Sequence, residues 1–122
     1  MNTTHENALL NELDVKLKEY LKNAPFYKIG LYTLDIKQRI LTFKDEQIPL
    51  TRKEMYVIVY FAANLNKLVL RSDLLKSVWK EDTYFNGRSM DVYLCKIRKL
   101  LSKDPDIYIV NVHGKGFRIV AD

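Results

Sequence analysis

The sequence RSMDVYLCKIRKLLS, residues 88–102, decides the fold because it combines an apolar stripe with a row of basic residues at helical spacing. Four apolar residues fall within about 60° of one another around a helix: Met90, Leu94, Ile97 and Leu101. This side is therefore predicted to pack on a core. Asp91, the one acid of the stretch, projects sideways, where we expect a structural salt bridge or a cap-like role.

The opposite side of this helix is basic and carries no acid. Its members are Arg88, Val92, Lys96 and Lys99, with Ser89, Cys95, Tyr93 and Arg98 at the margins and flanks. Lysines on such a side can simply keep a solvated helix soluble. They also suit the major groove of DNA, since Lys and Arg bond phosphates or the guanine edge and a valine can meet a thymine methyl. The helix alone does not separate these two interpretations.

The preceding sequence supplies a second helix. SDLLKSVWK is predicted to be helical from Arg71 or Ser72, with three inward residues, Leu75, Val78 and Trp79. KLVL before it is a short extended connector, and EDTYFNG, residues 81–87, is predicted to be a loop closed by Gly87. The order is helix, connector, helix.

A hairpin is predicted after the basic helix. Two β-rich runs surround Gly114-Lys115-Gly116, and glycines let such a tip approach a sugar-phosphate backbone, where Lys115 can find phosphate. On the second strand, Arg118 falls on the face opposite Phe117 and Ile119. Together with the two helices, this is the layout of a winged helix-turn-helix.

The upstream sequence completes one domain. Thr51 and Glu54 match a capping box that opens an almost wholly apolar helix reaching Leu65, which belongs in the centre of the domain. Before it, the runs FYKIGLYTL, RILTFKD and EQIPL indicate a small antiparallel sheet. Residues 5–23 are predicted to form an amphipathic helix along Leu10, Leu13, Leu17 and Leu21. It is too short for a coiled coil and either packs on a neighbouring surface or serves as a linker.

The clustering of basic residues suggests a polyanion-facing surface, although a solvated lysine-rich face is the commoner explanation when charge is taken alone. The net charge of the 122 residues is +5, and the basic excess is concentrated in two segments, with six Lys or Arg against two acids in residues 51–80 and five against one in residues 88–103. A single cysteine, Cys95, cannot form an internal disulfide. The N-terminus has no secretion signal and no long apolar run is present, so we expect a cytoplasmic protein without a membrane partner.

Four motifs in this order, LTRKEMYVIVYF, LLKSVW, RSMDVYLCKIRKLL and IVNVHGKGFRI, resemble the C-terminal effector domain of OmpR/PhoB-type bacterial response regulators over about residues 27–121. The resemblance implies an α+β fold, a winged helix-turn-helix with an N-terminal antiparallel four-stranded sheet, a three-helix core and a C-terminal β-hairpin wing. This domain would occupy residues 26–122, after a linker or amphipathic helix at 1–25.

The resemblance also implies which residues bind DNA. The recognition helix, residues 88–102, would enter the major groove and the wing, residues 113–118, would meet the minor groove. The DNA-binding set then comprises Trp79, Arg88, Ser89, Val92, Tyr93, Lys96, Arg98, Lys99, Lys115 and Arg118. Within it, Val92, Tyr93 and Lys96 face bases, and Arg118 reaches the minor groove. Trp79 can donate its indole N–H to phosphate or pack beneath the second helix.

The implied partners are double-stranded DNA with direct-repeat promoter sites, bound by a tandem pair of domains that are monomers when free. Tyr84 and Phe85 correspond to a segment that contacts RNA polymerase in some members, unless they fold onto the core. No receiver domain with a phosphorylatable Asp is present, so the chain is either an excised effector domain of a two-component regulator or is regulated in another way.

The sequence departs from the family at three positions. Cys95 stands where a basic residue is common, Tyr93 where a His is frequent, and Leu70 where the second helix is usually capped. Base preference therefore cannot be copied from a relative.

The sequence is also compatible, to different degrees, with three other function classes. A winged helix can also act as a protein-interaction module without specific DNA binding. Structured RNA is disfavoured, since its major groove is narrow. An enzyme is least favoured, because His5 and His113 are isolated and no cofactor or metal motif is visible.

Overall fold

The structure is a computed structural model that describes residues 14–121. In chain order its elements are α1 (Val15–Asn23), β1 (Phe26–Ile29), β2 (Tyr32–Asp35), β3 (Ile40–Phe43), β4 (Glu46–Pro49), α2 (Arg52–Ala62), β5 (Leu68–Leu70), α3 (Arg71–Trp79), α4 (Tyr84–Leu100), β6 (Tyr108–Val112) and β7 (Gly116–Val120). None of the helices in this described part is long and apolar enough to cross a membrane. The α+β winged helix-turn-helix expected from the sequence is confirmed.

The N-terminal sheet is an antiparallel meander in the order β1-β2-β3-β4. Its first predicted run divides into two strands, because Gly30, with φ of +54°, turns the chain between them. The buried carboxylate of Asp104 holds this turn by accepting the Leu31 amide at 2.9 Å. Lys103, the preceding residue, forms an ion pair with Glu46 of β4. The sheet is thus tied to the segment that follows α4.

Helix α2 lies at the centre of the core. Thr51 and Glu54 form the predicted capping box in full, with N···O distances of 2.8 and 3.2 Å, and residues 55–61 are all buried. The helix ends at Ala62, short of the predicted Leu65. The Asn64 side chain explains this end, since its amide donates to the Tyr60 carbonyl at 2.7 Å and satisfies a terminal acceptor.

Helix α1 packs on the same core. Its N-cap, Asp14, accepts from the Leu17 amide at 2.9 Å and from the Ser77 hydroxyl of α3 at 2.7 Å. Leu17 is fully buried, and the ring of Tyr20 meets that of Tyr60 edge to face. The part of the predicted helix before residue 14, with Leu10 and Leu13, lies outside the described residues. That residues 1–25 act as a linker stays a prediction.

The predicted hairpin is confirmed as β6 and β7 around His113–Lys115, and the predicted connector KLVL is a third strand. β5 pairs with β7, so the C-terminal sheet has the order β5-β7-β6. Helix α3 follows β5 directly and begins at Arg71. Leu70, at its N-cap position, gives no side-chain hydrogen bond.

The predicted loop at residues 81–87 is wrong beyond Thr83. The Thr83 hydroxyl accepts the Asn86 amide at 3.1 Å and the Thr83 carbonyl accepts the Gly87 amide at 2.9 Å, so α4 begins at Tyr84. Gly87 is therefore inside the helix and does not close a loop. The predicted bounds of the recognition helix, 88–102, become 84–100. Its apolar stripe is confirmed, since Met90, Leu94, Ile97 and Leu101 are all buried.

Candidate nucleic-acid interface

The outward side of α4 is an exposed basic surface. Arg88, Lys96 and Lys99 are exposed, together with Cys95 and with Val92, which keeps 57% of its surface accessible. The one acid of the helix, Asp91, is engaged by Arg71 of α3 through two N···O contacts of 2.8 and 3.3 Å. The salt bridge expected for Asp91 is confirmed. No free carboxylate of α4 therefore opposes a polyanion at this surface.

Arg71 also fixes α3 against the first turns of α4. Its second guanidinium nitrogen, Nη2, donates to the Gly87 carbonyl at 3.2 Å, and this nitrogen would lie 3.0 Å from a Cβ at Gly87. A glycine at this position therefore leaves room for the guanidinium. The contact gives a reason for a glycine at this helical position, where the sequence alone suggested the end of a loop.

One flank of α4 faces the wing. Arg98 donates from Nη2 to Oδ1 of Asn111 in β6 at 3.0 Å. Between this pair and the hairpin turn lies an open cleft of about 570 Å³, whose lining includes the paired side chains of Arg71 and Asp91 together with His113 and Lys115. Lys115 is exposed at the turn. The structure thus brings the predicted residues Arg98 and Lys115 to the two sides of one cationic cleft.

The other flank of α4 carries an aromatic cluster. Trp79, at the end of α3, is 8% exposed, and its ring meets that of Tyr93 edge to face at 5.6 Å. Its indole N–H donates to the Ser89 hydroxyl at 3.2 Å. The structure therefore shows the packed arrangement of Trp79, with the indole N–H already engaged, and its phosphate contact stays a prediction.

Sequence reasoning missed Lys53 of α2, which joins this cluster. Its Nζ lies 5.3 Å from the centroid of the Trp79 ring and 5.9 Å from that of Tyr93, while Nζ of Lys96 lies 5.4 Å from the Tyr93 ring. Two ammonium groups from different helices therefore approach one tyrosine. The capping-box sequence LTRKE locates Lys53 in a first helical turn, but nothing local in it indicates that this turn lies beside α4.

Arg118 is not brought together with the other predicted DNA-binding residues. In the register of the C-terminal sheet it stands between Leu68 of β5 and Val110 of β6, so these three side chains share one face. Asn111 follows Val110 in β6, and Phe117 precedes Arg118 in β7, so both of these side chains point to the other face. Asn111 is the residue that contacts α4. Arg118 is exposed on the face turned away from α4, and its minor-groove contact stays a prediction.

Tyr84 and Phe85 form the exposed first turn of α4, with 72% and 81% of their surfaces accessible. They do not fold onto the core. The Arg88 guanidinium lies 5.9 Å from the Tyr84 ring, with Nη1 at 3.5 Å from the phenol oxygen. The aromatic pair is therefore continuous with the basic surface, and its contact with RNA polymerase stays a prediction.

Within residues 14–121, no group of three or more His, Cys, Asp and Glu side chains is arranged to hold a metal ion. Cys95 is exposed and unpaired by disulfide.

Comparison with known proteins gives one consistent result. A family model described as "Transcriptional regulatory protein, C terminal" matches residues 45–119. The transcriptional regulatory protein RprY of Bacteroides fragilis is 43% identical over 99 residues, which make up 81% of this chain and 42% of RprY. The chain thus spans less than half the length of this relative.

Solved structures have the same fold. The response regulator DrrB of Thermotoga maritima, an OmpR/PhoB homolog, is 26% identical with a TM-score of 0.68, over 94% of this chain and 52% of DrrB. The DNA-binding domain of RstA from Klebsiella pneumoniae, solved in complex with the RstA box, is 23% identical with a TM-score of 0.66, over 80% of this chain and 98% of that domain.

The family match covers more than half of the chain and agrees with the order of elements, the exposed basic helix and the hairpin beside it. The chain therefore belongs to the family of C-terminal domains of transcriptional regulatory proteins, the winged-helix DNA-binding domains of OmpR/PhoB-type response regulators.

Proposed function

We propose that this domain binds double-stranded DNA sequence-specifically by placing α4 in the major groove, as the effector part of a two-component transcriptional regulator. The observation that carries the proposal is the exposed side of α4, where Arg88, Lys96 and Lys99 surround Val92 and the only acid of the helix is paired with Arg71. A polyanion can approach this surface without meeting an unpaired carboxylate of the helix.

The size of the major groove supports this placement. The groove is about 12 Å wide and admits one α-helix, and its base edges offer guanine acceptors and thymine methyls. Lys96 and Val92 lie near the middle of the exposed side, where they can reach such edges. Arg88 and Lys99 lie one to two turns away in opposite directions along α4, which suits contacts with phosphates.

The wing side adds two further phosphate ligands. One guanidinium nitrogen of Arg98 is engaged by Asn111 at 3.0 Å, which fixes the direction of the side chain and leaves the remaining N–H donors available. Lys115 stands across the cleft at the exposed turn. We assign both residues to one DNA strand beside α4.

The partners follow from the same proposal. RstA was solved with its DNA box, and RprY is named a transcriptional regulatory protein, which supports a promoter site as the ligand. We propose direct-repeat sites occupied by a tandem pair of domains, no enzymatic activity, a cytoplasmic location, and contact with RNA polymerase through Tyr84 and Phe85. The exposure of these two aromatic residues also supports the second candidate function, a protein-interaction module without specific DNA binding.

Selection from a pool of randomised duplex DNA tests the proposal. We expect one motif to be enriched. On that motif, Lys96→Ala should cost about 1–3 kcal/mol and relax one base position, because Lys96 reads a base. Lys115→Ala should weaken binding to the motif and to random duplexes alike, since it meets only phosphate.

Two results would count against specific recognition. Equal losses of affinity for the motif and for random DNA in Lys96→Ala would show that Lys96 does not read a base. An unenriched pool, with capture of RNA polymerase by the wild-type domain and its loss in a Phe85→Ala variant, would favour the interaction module.

A further inference from the structure

Lys53 lies on the opposite side of α4 from the wing. The flank that meets the wing holds Arg98, bonded to Asn111, and the flank that meets Lys53 holds Tyr93. Tyr93 and Arg98 are five residues apart, which places them about 140° from each other around the helix axis. The buried stripe lies within this 140° arc, and the exposed basic side of α4 spans the remaining arc of about 220° between the two flanks.

A helix in the major groove has a phosphate backbone on each side. An α-helix with its side chains is about 10–12 Å across and fills a groove of similar width, so both strands pass close to its flanks. Arg98 and Lys115 account for the strand on the wing side. The strand on the other side must pass the cluster formed by the rings of Trp79 and Tyr93 and the hydroxyl of Ser89. The ammonium group of Lys53, which lies outside the helix-turn-helix, is placed over the two rings of this cluster.

Two aromatic rings hold the ammonium group of Lys53 in place, and no ion pair with another of residues 14–121 neutralises it. Its ammonium lies over two aromatic rings, a contact of the cation–π type, and it is only partly buried. The nearest acid along the chain, Glu54, has one carboxylate oxygen, Oε1, bonded to the Thr51 amide in the capping box. A phosphate that meets the Trp79–Tyr93 edge would therefore find an ordered cation.

We propose that Lys53 of α2 is a DNA-binding residue that contacts the phosphate backbone of the strand opposite the wing. Two helices outside the recognition helix, α2 and α3, then line this strand. The inference rests on the proposed placement of α4, and it adds a contact from a helix that precedes the helix-turn-helix in the chain.

The salt dependence of binding tests the contact. Each phosphate neutralised on duplex DNA contributes about 0.9 to the slope of log K against log salt concentration. Lys53→Gln should therefore lower the slope by about 0.9 and, at 0.15 M salt, weaken binding about fivefold on the selected motif and on a random duplex of equal length. Lys53→Arg keeps the charge and the ring contact and should retain the wild-type slope.

Lys44→Gln is the matched control. Lys44 also lies over an aromatic ring, 5.5 Å from the Phe43 centroid, but belongs to the turn between β3 and β4 of the N-terminal sheet. The Lys44→Gln substitution changes the net charge by the same amount as Lys53→Gln. It should leave the slope of log K against log salt concentration at the wild-type value. Thermal unfolding of all three variants should show intact domains.

Two results would overturn the inference. An unchanged slope and affinity for Lys53→Gln would show that no phosphate is contacted. A loss confined to the selected motif, at unchanged slope, would show that Lys53 acts only by holding Tyr93. A wild-type domain without any sequence preference would instead contradict the proposed function, while the slopes on the random duplex would still measure the Lys53 contact.

Discussion

The two glycines of the wing should respond very differently to the same substitution. A Cβ added to Gly116 would overlap the Val69 carbonyl oxygen of β5 and lie 2.8 Å from the Arg71 amide nitrogen and 2.9 Å from the Leu70 Cα. All three are backbone atoms, so no side chain can rotate away. At Gly114 the same Cβ meets nothing within 4 Å, but φ is +71°, which disfavours alanine.

These geometries give different magnitudes. Ordinary contact of this Cβ with the Val69 carbonyl oxygen requires β5 and β7 to separate by roughly 1.4 Å or more, which disrupts part of a three-residue ladder at about 1 kcal/mol per hydrogen bond. Overpacking of this kind costs about 1–3 kcal/mol and sometimes more. We expect Gly116→Ala to lower the free energy of unfolding by about 3 kcal/mol. Gly114→Ala carries only the left-handed backbone penalty, about 1 kcal/mol.

Urea unfolding provides the measurement. The single tryptophan, Trp79, is buried, so its fluorescence reports loss of the core. The free energies of unfolding fitted for both variants are compared with that of the wild type, using one common value of the denaturant slope m. If Gly116→Ala were no less stable than Gly114→Ala, the close approach of β5 to β7 would not be present in solution, and the attachment of the wing described above would be wrong.

Two further predictions concern the start of α4 and alkaline pH. Thr83→Ala removes the N-cap bond to Asn86 and should cost about 1 kcal/mol, with faster hydrogen exchange of the Asn86 amide; unchanged exchange would favour the loop over the helical first turn. Burial raises the pKa of Tyr56 and of Tyr60 above the ordinary value of 10.0. The folded state therefore binds these two phenol protons more tightly than the unfolded state does. The resulting contribution to the free energy of unfolding is fully present below about pH 10 and is lost as pH rises through the folded pKa values. Urea midpoints measured from about pH 8 to 11 should fall at the upper end of this range, and they should fall less steeply with pH for Tyr60→Phe than for the wild type. An equal fall of the midpoint with pH in both proteins would contradict a raised Tyr60 pKa.

The sequence was sufficient wherever a signal spans only a few residues. The capping box depends on Thr51 and Glu54, three positions apart, and the hairpin on glycines two positions apart, so both could be identified from the sequence. Helical periodicity likewise identified the buried stripe of α4 from Met90 to Leu101. The start of α4 also has a local signal, the N-cap Thr83, but Gly87 in the following turn is equally typical of a loop end and obscures it.

Contacts between distant segments were decided by the tertiary structure. Arg71 reaches Asp91 across 20 residues, and Asp14 reaches Ser77 across 63. The pairing of β5 with β7 turned Arg118 to the face away from α4, and the packing of α2 beside α3 and α4 brought Lys53 over Trp79 and Tyr93. Local propensity and periodicity carry no information about which segments meet, since that depends on how apolar faces of several elements pack together. The sequence therefore determined that a basic helix and a wing exist, and the tertiary packing determined which charges stand beside them.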